Sequence, residues 1–226
     1  DGQQVTADQY PYRASSTSRS ATTIPTWARA GGRQAMIKRF DDPQDGKRIR
    51  TAIQAKLDRT DNGAAIRIAR CYQQQWVGKS IAQIAKLENT PALEIVEVIE
   101  RNGGASVVNF SMDPEDVRYV MSLPWVATAS DGRAYLPGAD KPHPRSYGTF
   151  PRKIRLFAQQ EKIISVGHAI RSATGLPAQI LGLKDRGTLK PNMIADIVVY
   201  DPTTLQDKAT FDDPHQYCVG VEYVFI

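Results

Sequence analysis

Residues 125–150, WVATASDGRAYLPGADKPHPRSYGTF, hold the side chains best suited to chemistry. Trp125 to Ala129 form an apolar, β-branched run that reads as a buried strand, and Asp131-Gly132 ends it. A carboxylate at the tip of such a strand has little use in packing. It is placed to take a proton or to hold a metal ion. A dozen residues on, His143-Pro144-Arg145 and Tyr147 put an imidazole, a guanidinium and a phenol on one proline-stiffened loop. The plainer reading is a strand followed by a polar surface loop. Near the start, Val5 to Tyr12 read as a strand running into the Tyr10-Pro11-Tyr12 turn. Ser15, Ser16, Thr17 and Ser18 follow as a hydroxyl-rich loop, either a solvated turn or donors for a carboxylate or an amide.

These groups need elements to position them. Ile49, Ala52, Ile53 and Leu57 recur at helical spacing within 44–57, and Ile66 and Ile68 alternate with Arg67 and Ala69 as in a half-buried strand. Ser80 predicts a helix N-cap, Pro91 a first turn, and Gly103-Gly104 a stop after the stripe Ala92, Ile95, Val96, Ile99. Residues 106–110 read as a strand, and Asp113-Pro114-Glu115 opens a helix through Met121. Residues 25–122 therefore form a small α/β insertion between two strands. After the Asp131 loop, helices are expected from Pro151-Arg152, from Ser165 to Gly175 (carrying His168 as a packing or surface residue), and from Pro177 to Leu183. Two strands close the chain, Ala195–Tyr200 and Tyr217–Ile226.

Composition narrows the function classes. A net charge of +5 from scattered Lys and Arg fits small anionic ligands as well as nucleic acid, and no stretch interleaves basic residues with aromatics, so no nucleic-acid partner is expected. Cys71 and Cys218 lie too far apart for a zinc ribbon or a disulfide scaffold. Gly78-Lys79-Ser80 resembles the end of a phosphate loop, but Gln73 stands where its first glycine belongs. No apolar run approaches the length of a membrane span and no signal peptide is evident, so a cytoplasmic protein is expected. The chain opens on a strand with no initiating methionine, which reads as the middle of something longer.

Taken together, VTADQYPY with its Ser/Thr loop, SDG, KPHPRSYGTFPR, TGLPAQILGLKDRGTLKPNMIADIVVYDP and ATFDDPHQYCVGVEYVF resemble the D-aminoacylase group. These are N-acyl-D-amino-acid deacylases of the amidohydrolase superfamily. The match is collinear over nearly the whole chain. The KxGxxADxVxxD portion marks only the wider superfamily, and here Asn192 replaces the usual glycine; the Tyr-Pro-Tyr and His-Pro-Arg motifs narrow it.

The resemblance implies an α/β fold: the C-terminal part of a (β/α)8 TIM-like metallo-amidohydrolase barrel, with an inserted small α/β domain and a C-terminal β-sandwich portion. It places barrel strand seven and its loop in 1–24, the lid-like insertion in 25–122, strand eight and following helices in 123–186, and sandwich in 187–226. It further implies one or two zinc ions, most of whose ligands belong to an N-terminal half lying on another segment or chain. Asp131 matches the strand-eight aspartate, as proton carrier and metal ligand. Arg145 and Tyr12 match carboxylate-binding positions, with Ser18 or Ser16 as the accompanying hydroxyl. His143 is either a hydrogen bonder behind this loop or a structural partner for its backbone, Tyr147 a pocket wall or a buttress, and His215 structural. The implied activity is hydrolysis of linear N-acyl-D-amino acids. Alternatives are a hydantoinase-like or dihydroorotase-like cyclic amidase, a D-dipeptidase, or a non-catalytic half-barrel that binds a partner.

Overall fold

A computed structural model describes residues 2, 3 and 5–226. In chain order, β1 is Ala7–Gln9 and β2 is Ala14–Ser18. Four helices follow: α1 (Arg19–Thr23), α2 (Thr26–Arg29), α3 (Gly32–Asp41) and α4 (Pro43–Asp58). Next come β3 (Ile66–Cys71), α5 (Ile81–Leu87), α6 (Ala92–Arg101), β4 (Ala105–Phe110), α7 (Pro114–Ser122) and β5 (Val126–Thr128). The last third holds α8 (Arg145–Arg152), a π-wound stretch (Lys153–Gln160), α9 (Val166–Ala173), α10 (Gly175–Ile180), β6 (Ile197–Tyr200) and β7 (Val221–Phe225).

The chain divides into two compact units. One comprises Ala14–Ser111 and Gly138–His143. Its sheet has the order β2-β4-β3, antiparallel throughout, and α4, α5 and α6 pack their apolar stripes onto one core. Ile49, Ile53 and Leu57 of α4, Ile66 and Ile68 of β3, and Ile81 and Ile84 of α5 are fully buried there. Local signals set the boundaries of these elements. Asp42 caps α4 by accepting from the Gln44 and Asp45 amides, and Ser80 and Gln83 form a reciprocal capping box on α5.

The hydroxyl-rich segment is a strand rather than the expected loop. Ser16 and Thr17 lie in register with Val108 and Val107, so the backbone of residues 14–18 is satisfied by β4. That pairing also explains why this unit begins at Ala14. Between Arg19 and Asp41 the punctuation residues Pro25 and Gly31 delimit three helices; Gly31, at φ +79°, makes the left-handed entry to α3.

The other unit comprises Asp1–Arg13, Met112–Pro137 and Pro144–Ile226. Here β1 and β5 pair in parallel, with Ala7 opposite Val126 and Gln9 opposite Thr128. Val117, Met121, Phe157, Ala158, Ile164 and Ala169 form its core. The helix expected to begin at Pro151 begins instead at Arg145, and Pro151 lies inside it. Proline offers no amide hydrogen to the preceding turn, and the helix continues from Lys153 with π winding. β6 and β7 form an antiparallel pair whose Val221, Tyr223, Val224 and Phe225 are exposed. No helix among the described residues is long and apolar enough to cross a membrane.

Candidate active site

The parallel pair β1 and β5 sets the stage, and the Ala129 amide extends it by donating to Gln9 O at 3.2 Å. The chain then turns sharply. Asp131 has φ +46°, a left-handed conformation that Asp tolerates because its short side chain bonds locally. Ser130 Oγ accepts from the Gly132 amide and Ser146 Oγ accepts from the Arg133 amide, both at 3.2 Å, which pins the loop to the first turn of α8. A Cβ on Gly132 would stand 3.0 Å from Ser146 Cα, so this close passage favours glycine.

The turn presents Asp131 outward while Arg145 reaches it from α8. Arg145 Nη2 lies 2.7 Å from Asp131 Oδ2. The guanidinium is buried and sits over the Tyr10 ring, 4.8 Å from its centroid; the carboxylate is exposed. Burial raises the Tyr10 phenol pKa above its ordinary value, with Arg145 opposing. Two residues singled out in sequence are thus brought into contact. A solvent-accessible carboxylate gripped on one oxygen can receive a proton or a cation on the other.

Tyr12 occupies a closed position in the same unit. It is buried, its ring lies under the Arg152 guanidinium at 4.9 Å, and its edge meets Phe211 at 6.1 Å. Arg152 is fixed by donating from Nε to Pro11 O at 2.9 Å and from Nη1 to Asp207 Oδ2 at 3.2 Å. Burial pushes the Tyr12 pKa well up, so the phenol stays neutral. Sequence reading missed Arg152 and Asp207; Arg152 stands in the quoted KPHPRSYGTFPR motif, whereas Asp207 has no local signal. Tyr147 donates to Tyr135 O at 3.0 Å, and its hydroxyl lies 2.8 Å from His215 Nδ1. These contacts make Tyr147 and His215 mutual braces.

Lys153 is the other residue that sequence reading passed over. It is 3% exposed, and its ammonium donates to Thr128 Oγ1 at 2.8 Å and to Ser172 Oγ at 2.9 Å. Burial lowers its pKa to about 8. The available signal was a lysine with no acidic residue within four positions on either side.

The remaining candidates belong to the other unit. His143 is 2% exposed, and its Nε2 lies 2.9 Å from Ala14 O. That is a structural contact to the backbone of β2. Ser18 is exposed and caps α1, accepting from the Ala21 amide at 3.3 Å; Ser16 is half-buried two residues earlier on the same strand face. Among the described residues no group of three or more His, Cys, Asp or Glu is placed to hold a metal ion. Asp131 fits as one ligand, and these residues alone do not complete a site.

The model of the amidohydrolase family matches residues 2–226. Three curated proteins of Alcaligenes xylosoxydans xylosoxydans are similar. An N-acyl-D-aspartate deacylase is 38% identical over 57% of this chain and 25% of its own length. An N-acyl-D-glutamate deacylase is 34% identical over 66% of this chain and 29% of its own, and a D-aminoacylase 32% identical over 66% and 30%. Among solved structures, the N-acyl-D-glutamate deacylase of Bordetella bronchiseptica, complexed with zinc and a phosphonate inhibitor, superposes with TM-score 0.73 at 27% identity. It covers all of this chain and 39% of that one. A D-aminoacylase structure gives TM-score 0.71 at the same identity. The chain spans about a quarter to two-fifths of the length of these relatives. With its parallel strand pair and the acid at its tip, and matched over nearly its whole length, this chain belongs to the amidohydrolase family.

Proposed function

We propose that this chain supplies the proton-carrying acid and a substrate-gripping arginine of a metal-dependent deacylase of N-acyl-D-amino acids. The observation that carries this reading is the exposed Asp131 carboxylate at the tip of β5, beside β1 and fixed by the buried Arg145. In this reading β1 and β5 are neighbouring strands of a (β/α)8 barrel. Ala14–Ser111 is an inserted unit, and β6 and β7 belong to a β-sandwich. The other metal ligands lie on the part of the enzyme this chain does not span.

Bound zinc would lower the pKa of a water and polarise the amide carbonyl. Asp131 takes a proton from the attacking water and returns it to the leaving nitrogen, so the amine departs neutral. Arg145 offers further N–H groups in its planar fork to the substrate's α-carboxylate. Tyr12 acts from behind, as the buried support of α8 and the Arg152 pair. Ser18 and Ser16, which belong to the other unit, are given no part in this step. Holding the amide and the carboxylate together leaves the α-substituent one direction, which selects D over L. A hydantoinase-like amidase, whose ring substrate has no free carboxylate, would not need that grip.

The test is metal content and hydrolysis of N-acetyl-D- and N-acetyl-L-amino acids by the isolated protein, with every polypeptide identified by mass. Stoichiometric zinc and D-selective release of amino acid are expected. No metal and no hydrolysis, with all chains accounted for, would leave only a binding role.

A further inference from the structure

The unit formed by Ala14–Ser111 and Gly138–His143 contains a cleft of about 640 Å³ that the reaction above does not use. Three guanidinium groups from three elements line it: Arg29 of α2, Arg33 of α3 and Arg70 of β3. Two are held by backbone rather than by acids. Arg33 Nη2 donates to Glu100 O at 2.6 Å. Arg29 donates from Nε to Ile24 O at 3.1 Å and from Nη2 to Thr26 Oγ1 at 3.2 Å, which leaves Nη1. Arg70 is mostly exposed, and its nearest acid, Asp140, is 3.8 Å away.

The carboxylate on the cleft wall does not cancel this charge. Glu100 is buried and ion-paired with Arg19, itself fully buried. Gly103 lies beside Arg33; a Cβ there would come within 3.8 Å of Nη1, and its φ of +110° excludes most other residues. Ser18 and Ser106 add hydroxyls, while Met36, Ala105 and the Tyr72 ring supply apolar wall. Positive charge, hydroxyl donors and an apolar wall together suit an anionic head on a short hydrocarbon body.

We propose that this cleft is a binding site for a small organic carboxylate, gripped by Arg29 and Arg33 with Arg70 at its mouth. The ligand is a free dicarboxylate, and its binding does not rest on the deacylase reading.

Calorimetric titration of the full chain tests the site. Glutarate should bind in the millimolar range, and glutaramide, which has the same length without charge, should not. Affinity should fall as salt is raised, a readout that needs no variant. Arg29→Gln with Arg33→Gln should weaken glutarate at least about ten-fold while the melting temperature holds. Equal binding of glutarate and glutaramide, or unchanged affinity in the double variant, overturns the proposal.

Discussion

Arg145 Nη2 stands 2.7 Å from Asp131 Oδ2 and joins a guanidinium that is 8% exposed to a carboxylate that is 68% exposed. The asymmetry separates their duties. The arginine is built in, under the loop and over Tyr10, whereas the acid faces solvent and can exchange protons. An exposed acid contributes little to folding, because water screens its side of the pair. Asp131→Asn should therefore keep the fold, with stability changed by no more than about 0.5 kcal/mol. If the deacylase proposal holds, deacylation should fall about 10²–10⁴-fold, the usual weight of a positioned proton carrier. Initial rates with N-acetyl-D-leucine and a thermal melt read both; a variant with full activity removes Asp131 from the chemistry.

On the proposed reading Arg145 serves two carboxylates, that of Asp131, which it contacts, and that of the substrate. Lysine keeps the charge but loses the planar fork and the stacking on Tyr10. Arg145→Lys should raise KM for N-acetyl-D-leucine about ten-fold or more, with a smaller fall in kcat. The opposite split, kcat lost at constant KM, would assign Arg145 to holding Asp131 rather than the substrate.

Much of the arrangement around these residues was legible in the sequence because it rests on local signals. Ser80 and Asp113 mark the starts of their helices directly, and the β-branched run before Asp131 marks its strand. What escaped is non-local. Nothing in Ser15 to Ser18 announces that β4, some ninety residues away, will complete their hydrogen bonds. Arg152 and Asp207 are 55 positions apart and meet only in the fold. The contact between Asp131 and Arg145 joins two residues chosen for separate roles, and only geometry shows that one holds the other.

Gly148 lets α8 pass close to Tyr12. A Cβ at this position would stand 2.8 Å from Tyr12 Oη and 3.0 Å from Asp207 Cβ, and a buried ring has little room to yield. Gly148→Ala should cost about 1–3 kcal/mol by overpacking. In a Tyr12→Phe background, where the clashing hydroxyl is gone, the same change should cost at most about half as much. Denaturant melts of the four proteins form the cycle, and equal costs in both backgrounds would place the strain elsewhere.

Lys153 gives the unit an alkaline signature. Its folded pKa, about 8, lies below that of an unfolded lysine because burial disfavours the ammonium, and among the described residues its partners are the hydroxyls of Thr128 and Ser172. The sign follows from proton binding. Between pH 8 and about 10 the unfolded chain holds the proton that the folded chain has released, so stability rises with pH across that window. Below pH 8 both states are charged and the full burial cost is present, on the order of 3 kcal/mol. Above about pH 10 the trend reverses, since the raised Tyr12 pKa keeps the folded phenol protonated while the unfolded one ionises. Urea midpoints measured from pH 7 to 10 should therefore climb for the wild type. In Lys153→Met, which carries no proton to release, the climb should vanish, leaving a decline above about pH 9 from the Cys71 thiol, whose pKa burial raises. A wild-type midpoint that stays level or falls from pH 8 to 10 would show that the ammonium is not held in this low-dielectric pocket.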